Sequence, residues 1–342
     1  MTHTWPDVLS SLVAGDDLTS DQTGWAMAQL LAGEATPAQI AGFAVALRAK
    51  GETIEEVTGL ADAMLDAGNR ITVPGRLLDI VGTGGDRSRS VNISTMAAIV
   101  AAGAGATVVK HGSRSASSQS GSADVLEVLG IRLDLPVDRV AEVATEAGIT
   151  FCFAAAFHPA MRYAAVPRRE LGIATSFNLL GPLTNPARPA AQAIGCANAL
   201  QAPVMAGVFA ARGVDAWVVR GDDGLDELTT TTTSTLWAVH AGEVVVSTVE
   251  PADLGLARAT IEDLRGGDAA HNAEVVRRVM AGEKGAVRDA VVLNAGAALA
   301  VYDDPAGEPM DALATGLAKA ADAIDSGAAL ASLERWVEAS SR

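Results

Sequence analysis

Apolar positions in the first 70 residues recur three or four apart. Ala28 and Leu31, Phe43 and Leu47, and Leu60 and Met64 therefore share helix faces and predict a core of packed helices. The punctuation agrees. Thr19–Gln22, Thr36–Gln39 and Thr53–Glu56 each set a Thr three residues ahead of Gln or Glu, as a capping box requires. Pro37 falls at a first helical position, where a missing N–H costs nothing. Gly33, Gly51 and Gly68 stand just past the helix ends.

After residue 70 the rhythm changes. Leu77–Val81 is a short apolar run closed by glycines, as in a buried parallel strand. Ile93–Ala104 reads as a helix and Ala106–Val109 as a second strand, completing a βαβ unit. Helix Val137–Gly148, strand Ile149–Ala154, strand Ala191–Cys196, helix Pro203–Arg212 and strand Ala216–Val219 continue the alternation. Ser234–Val249 alternates about His240–Glu243 and reads as a hairpin. From Asp268 the chain is helical, and Val287–Val301 is apolar enough to be buried. His158–Leu183 interrupts the alternation with a helix and a Pro/Asn/Gly-rich stretch, and is expected to rejoin the helical part. The fold class is α/β: a small all-helical domain and a large domain with a mostly parallel central sheet flanked by helices. The expected boundaries are 1–70 joined by about 158–188, and 71–157 with 189–342.

Charge and composition narrow the function. The 342 residues carry 25 Lys/Arg and 41 Asp/Glu, a net charge of −16, which argues against nucleic-acid binding. Half the residues are apolar and 19% are charged, so a packed core is expected. Cys152 and Cys196 lie in separate apolar runs and read as core residues, with no metal-binding Cys pair. The weakly polar run 96–109 is too short and glycine-rich to span a bilayer, and the first residues lack the basic and apolar segments of a secretory signal. A soluble cytoplasmic protein is the expectation.

Three loops carry candidate chemistry, each after a strand. Gly82-Thr-Gly-Gly-Asp86 lets backbone amides approach an anion ahead of a helix start. It lacks both the third glycine of the dinucleotide fingerprint and the Gly-Lys-Ser/Thr of a Walker loop. Asn92-Ile93-Ser94-Thr95 opens the helix that follows, with Asn92 as its expected N-cap. Lys110-His-Gly-Ser-Arg-Ser-Ala-Ser-Ser118 and Ser122 follow the second strand. Residues 87–123 hold four Lys/Arg and no acid, a +4 stretch in an acidic chain that suits a polyphosphate. After Ala216–Val219 comes Gly221-Asp-Asp-Gly-Leu-Asp-Glu227, four carboxylates in six residues. Like charges that close need a cation or solvent, and Mg²⁺ shared with phosphate oxygens suits them. Arg168 is a candidate partner for a carboxylate, and His158 lies nearby in sequence.

The ordered set GTGGD, VNIST, KHGxRSxSS, SGSADVLExLG, FHPAMR, RRELG, FNLLGPLTNPA and GDDGLDELTTTTTS resembles the anthranilate phosphoribosyltransferase family of tryptophan biosynthesis, among the nucleoside phosphorylase-like phosphoribosyltransferases. It spans residues ~75–235. The resemblance implies a homodimer through the helical domain. It implies Mg²⁺-dependent transfer of phosphoribose from 5-phospho-α-D-ribose 1-diphosphate to the amine of anthranilate. It assigns the donor to Gly82, Gly85, Asp86, Ser90, Asn92, Ile93, Ser94 and Thr95, and to Lys110, His111, Gly112, Ser113, Arg114, Ser115, Ala116, Ser117, Ser118 and Ser122. It assigns the metal to Ser94, Asp226 and Glu227, and the acceptor to Gly82, Ser113, His158 and Arg168. Lys110, His111 and Arg114 take catalytic roles, the two cations on the leaving pyrophosphate and His111 as a late proton acceptor.

The chain departs from the family pattern in places. Ser90 stands where Thr is usual, which keeps the hydroxyl, and Ala174 where many members have Arg. Ser113 replaces an Asn whose amide contacts anthranilate. The shorter side chain leaves another aromatic amine or carboxylate open as acceptor of the same donor chemistry. A pyrimidine nucleoside phosphorylase shares the fold, but the Leu-Asp-Glu segment and the Lys-His-Gly loop favour pyrophosphate and metal over phosphate alone. A catalytically silent binding protein would have lost its metal residues, which are intact here.

Overall fold

The computed structural model describes residues 3–114 and 120–342. The chain opens with α1 (Trp5–Ala14), α2 (Ser20–Ala32), α3 (Pro37–Lys50) and α4 (Ile54–Ala67). The three expected capping boxes are present, with Thr19, Thr36 and Thr53 each accepting from the N3 amide while the N3 side chain reaches back. Gly33 and Gly51 end their helices at positive φ, but Gly68 is extended at φ −85°. Leu31, Phe43, Leu47, Leu60 and Met64 are buried. Ala28 is exposed, because Met27 and Leu30 define the inner face of α2.

The alternating region runs β1 (Leu77–Gly82), α5 (Ile93–Gly103), β2 (Thr107–Gly112), α6 (Ser122–Leu129), α7 (Val137–Ala147) and β3 (Ile149–Phe153). The interruption comprises the single turn α8 (Ala154–Phe157), a 3₁₀ turn at Pro159–Met161, α9 (Arg162–Leu171) and α10 (Phe177–Leu183). Then follow β4 (Ala191–Gly195), α11 (Ala202–Arg212), β5 (Asp215–Gly221), and the hairpin β6 (Ser234–His240) and β7 (Glu243–Val249). The helices α12 (Ala269–Met280), α13 (Ala286–Asp303), α14 (Pro309–Asp325) and α15 (Ala328–Ser341) close the chain. The sequence pattern predicts no element at 122–129, where α6 forms.

The strands make one sheet in the order β3-β2-β1-β4-β5-β6-β7, parallel from β3 to β5 and antiparallel at the hairpin. Strand faces alternate as pleating demands. Trp217 and Val219 enter one core with α5, α12, α13 and α15, while Ala216 and Val218 enter the other with α1–α4, α10 and α11. Within the interruption, α9 packs against α3 and α10 against α4. Both cysteines are free and buried. Among the described residues no helix is long and apolar enough to cross a membrane.

The chain progresses outward to β3 on one side of β1 and to β4 and β5 on the other. The crevice between the C-terminal ends of β1 and β4 is therefore the switch point at which open α/β sheets hold ligands. Helix α13 backs this crevice and is itself held by α14 at backbone contact. A methyl group at Gly316 would lie 2.1 Å from the Gly296 carbonyl oxygen, and one at Gly296 would lie 2.7 Å from the Leu317 amide nitrogen. Gly316→Ala is expected to part the two helices at a cost of about 1–3 kcal/mol. A lowered denaturant midpoint with unchanged slope checks this, and an unchanged midpoint refutes it.

Candidate active site

The glycine loop and the acidic loop singled out in the sequence meet at this crevice. Gly82 ends β1, and the next residue, Thr83, donates its amide to Gly195 O at the end of β4, 2.9 Å away. The acidic loop after β5 presses on both glycines. A methyl group at Gly82 would stand 2.1 Å from Asp226 Oδ2, and one at Gly195 would stand 1.6 Å from Asp226 O. No larger residue fits at either place. The Gly84 amide donates to Asp226 Oδ2 at 2.7 Å, and the Ser94 amide, in the first turn of α5, donates to Glu227 Oε1 at 3.2 Å. The helix N-terminus thus faces the carboxylates.

The loop from Gly84 to Asn92 is tightly wound. Gly84 and Gly85 have φ +67° and +86°, and Arg87 and Arg89 also adopt positive φ, 61° and 56°. Non-glycine residues there store strain, of order 1 kcal/mol each, which the surroundings hold in place. Ser90 bridges to Arg265, and the Gly266 amide donates to Arg89 O at 2.8 Å. Asn92 does not cap α5 with its side chain as expected. Its Nδ2 donates to Ser120 O and its Oδ1 accepts from Asn272 on α12, because α12 reaches the loop first. Asp86 is half-buried. Ile93 is buried in the core, while Thr95 donates its hydroxyl to Ser122 at 3.1 Å.

The four carboxylates of the acidic loop divide by what they touch. Asp223 accepts from the Thr229 hydroxyl at 2.8 Å, from Thr231 and from the Leu225 amide. Asp222 accepts from Thr233 and Thr235. The run of threonines therefore ties down the first pair. Asp226 and Glu227 turn inward, and Asn294 on α13 grips the next residue by both backbone groups, Leu228 N at 2.9 Å and Leu228 O at 2.8 Å.

Burial raises both inward carboxyls. Asp226 is pushed up to about 6, with the Asp86 charge adding to burial. Glu227 is pushed up to about 8, with the Asp226 charge adding. A site that keeps carboxylates this reluctant to ionise is short of positive charge and fits a divalent cation. The oxygen set of Asp226, Glu227 and the Ser94 hydroxyl is hard, as Mg²⁺ requires. Among the described residues no group of three or more His, Cys, Asp or Glu can hold a metal.

Lys110 and His111 sit beneath this surface. The expectation had Lys110 facing a leaving pyrophosphate. Its ammonium is instead wholly buried and donates to Ile80 O, in the field of Asp79, Glu227 and Asp226. Burial pulls its pKa down, and those carboxylates oppose the pull. Asp79, pushed up to about 6 by burial, accepts from the His111 amide at 3.1 Å and from Asn185 at 2.8 Å. His111 is pulled down to about 3 by burial and by the neighbouring His158, so its ring is neutral. Its Nδ1 lies 2.8 Å from Gly181 O and so carries the proton. His158 lies against it, ring centroids 5.2 Å apart, with Nε2 2.9 Å from Thr184 O.

Gly112 ends β2, where a methyl group would meet the Phe151 ring at 2.9 Å. Ser113 is exposed and its hydroxyl donates to Arg114 O at 3.0 Å. Arg114 is gathered onto α6, bidentate to Glu127 at 2.7 Å and bonded to Asp124 at 2.7 Å. Its guanidinium is therefore engaged by carboxylates, where an open phosphate-facing group was expected. Ser115, Ala116, Ser117 and Ser118 lie outside the described residues. Arg168, on α9, is half-buried with its guanidinium 5.9 Å from the Phe177 ring centre, and burial pulls its pKa down.

Sequence reasoning missed several supports. Gly195 was a strand residue with no visible reason to be glycine. Asp79 was one acid in an apolar strand, a signal that could have been heeded. Asn272 and Asn294 act from remote elements and carry no local signal, while Asn185 lies within the FNLLGPLTNPA run with no role marked for it.

Known proteins match this arrangement. Residues 6–68 match the helical bundle domain of the glycosyl transferase family, and residues 74–330 match its a/b domain. Fold and site together are those of a glycosyl transferase of this family. The anthranilate phosphoribosyltransferase of Nocardioides sp. is 75% identical over 339 residues, 99% of each chain. The crystal structure of anthranilate phosphoribosyltransferase from Thermus thermophilus superposes with TM-score 0.91 at 41% identity, over 98% of this chain and all of that one. The Saccharomyces cerevisiae enzyme in complex with PRPP and Mg gives 0.89 at 26% identity, over 98% of each chain. The chain belongs to the anthranilate phosphoribosyltransferase family.

The raised carboxyls carry a pH signature. Asp226 and Glu227 hold protons in the folded protein that the unfolded chain, with carboxyls near 4, has already released. Their contribution to stability is complete below about pH 4 and is lost as pH rises through about 6 and then about 8. In chelator, the thermal midpoint is expected to fall between about pH 5 and about pH 8.5, and Glu227→Gln to flatten that fall. Parallel curves for the two proteins would show that Glu227 titrates normally.

Proposed function

We propose that the chain transfers the phosphoribosyl group of 5-phospho-α-D-ribose 1-diphosphate to the amine of anthranilate, with Mg²⁺, giving N-(5-phosphoribosyl)anthranilate and diphosphate in tryptophan biosynthesis. The observation that carries this is the closure of Asp226 and Glu227 on the glycine loop and the α5 N-terminus at the sheet's switch point. The relatives' shared name and the yeast complex with PRPP and Mg support the same donor and ion.

The chemistry asks little of a base. The aryl amine is neutral, its lone pair forms the new bond to the ribose carbon, and the bond to pyrophosphate breaks as positive charge builds on the sugar. Rate then comes from orientation and from stabilising the departing charge. Mg²⁺, when bound, neutralises pyrophosphate oxygens, and Asp226, Glu227 and Ser94 are the residues to hold it. The Gly85 amide offers a donor to the anion, and the N-terminus of α5 favours its charge. Buried Lys110 supplies charge from below, beside Asp79, Asp226 and Glu227. We assign Arg168 to the acceptor carboxylate. It is half-buried, and the residues described give it no acidic partner. His111, neutral with its proton on Nδ1, keeps Nε2 as a weak acceptor for the amine proton once the new bond has formed.

We further assign residues 1–70 with 158–188 to a helical unit and the remainder to the sheet domain. The packing of α9 on α3 and of α10 on α4 supports this. We read the protein as a cytoplasmic homodimer through that helical unit. Val45 on α3 and Tyr163 and Val166 on α9 are large apolar side chains left exposed on packed neighbours. Sedimentation at micromolar concentration is expected to give twice the chain mass, and Val45→Lys with Val166→Lys to give the monomer. A monomeric wild type overturns the dimer.

Anthranilate fluorescence is expected to decay with donor and Mg²⁺ present and to persist without either. Replacing Asp226 with Asn and Glu227 with Gln should abolish turnover in a protein that still folds. Arg168→Ala should raise the anthranilate KM about ten- to a hundredfold, as for a lost charged hydrogen bond. Wild-type decay without Mg²⁺, or none with it, would refute the assignment.

A further inference from the structure

Glu52 lies in the short turn between α3 and α4, far in sequence from every loop discussed above, yet its side chain is buried. A buried carboxylate needs donors, and this one has three. Its Oε1 accepts from Ser176 Oγ at 2.8 Å and from Gln201 Nε2 at 2.8 Å, and its Oε2 accepts from Arg48 Nη1 at 3.3 Å. Ser176 immediately precedes α10, and Gln201 immediately precedes α11 in the connection leaving β4. One carboxylate thus fastens the helical turn to the start of α10 and to the connection that leaves the switch-point strand.

We propose that Glu52 is a positioning residue for the acceptor, acting through Ser176 on the α9–α10 corner. Ser176 is followed by Phe177, whose ring backs the Arg168 guanidinium. Arg168 is three residues before the end of α9 at Leu171, so residues 172–176 join the helix bearing it to the ring supporting it. Ser176 holds that corner to Glu52 with a hydrogen bond to a charged acceptor in a buried place. Such a bond is strong and costly to leave half made. Among the described residues, the donor side of the crevice, built by the glycine loop, α5 and the acidic loop, has no bond to Glu52. Loss of Glu52 is therefore expected to disturb the acceptor and spare the donor.

This inference rests on the activity proposed above. Its test is steady-state turnover of anthranilate by wild type, Glu52→Ala, Glu52→Gln and Ser176→Ala, measuring both KM values and kcat. Glu52→Ala should raise the anthranilate KM roughly tenfold and leave the donor KM within about twofold. Glu52→Gln keeps an oxygen that accepts from Ser176 and Gln201 and should restore the anthranilate KM to within about threefold of wild type. Ser176→Ala deletes a single bond and should raise the same KM less than Glu52→Ala, and it carries the test if Glu52→Ala does not fold. An unchanged anthranilate KM in Ser176→Ala, equal rises in both KM values, or a lower kcat with both KM values unchanged overturns the inference while the wild type still turns over. No anthranilate turnover by the wild type overturns the activity, and this inference with it.

Discussion

The seating of Asp226 between the ends of β1 and β4 governs the rest of the site. Its carbonyl oxygen occupies the space a side chain at Gly195 would take, and its carboxylate the space a side chain at Gly82 would take. That approach lets a loop belonging to β5 lie across the switch point and meet the Gly84 amide. Glu227 is then carried to the first turn of α5. Everything else about the acidic loop serves the same placement. The threonine hydroxyls take up Asp222 and Asp223, and Asn294 grips Leu228 from α13. The closeness of α13 to α14, glycine against glycine, fixes the helix from which Asn294 reaches.

Charge is distributed in depth. At the surface are amides, hydroxyls and two carboxyls held partly protonated by burial. Below them is one buried ammonium, Lys110, flanked by Asp79 on its far side. Such a stack is stable without ligand because its carboxyls can keep their protons. It is ready for a cation because loss of those protons leaves two adjacent anions. On the proposed function, the ion would complete the charge that an anionic donor meets there, which would couple binding of the two.

The corner around Arg168 is built differently. Arg168, Phe177, Ser176 and Glu52 form a line from the α9–α10 corner into the helical unit. The buried His111 and His158 pack against each other beside α10, each donating a hydrogen bond to a backbone carbonyl there. The residues around Asp226 and those around Arg168 thus hang from separate supports, the sheet for one and the packed helices for the other.

Local signals in the sequence determined the element order, the capped helices, the buried strands and the loops at their ends. These depend on periodicity, glycine and hydroxyl caps, which a few neighbouring residues express. The same signals marked Gly82, Asp226, Glu227 and Arg168 and, through ordered motifs, a family. They did not distinguish a buried Lys110 from a solvent-facing one, nor an Arg114 paired with Glu127 from one open to phosphate. They marked Asn92 as a cap, whereas Asn272 on α12 engages it. These outcomes turn on which side chain from a distant element arrives at a given space. Glu52 meets Ser176 across 124 positions of chain and Asn294 meets Leu228 across 66. Packing at that range is decided by the whole tertiary structure, because burial, and with it the need for a partner, exists only once the chain has folded.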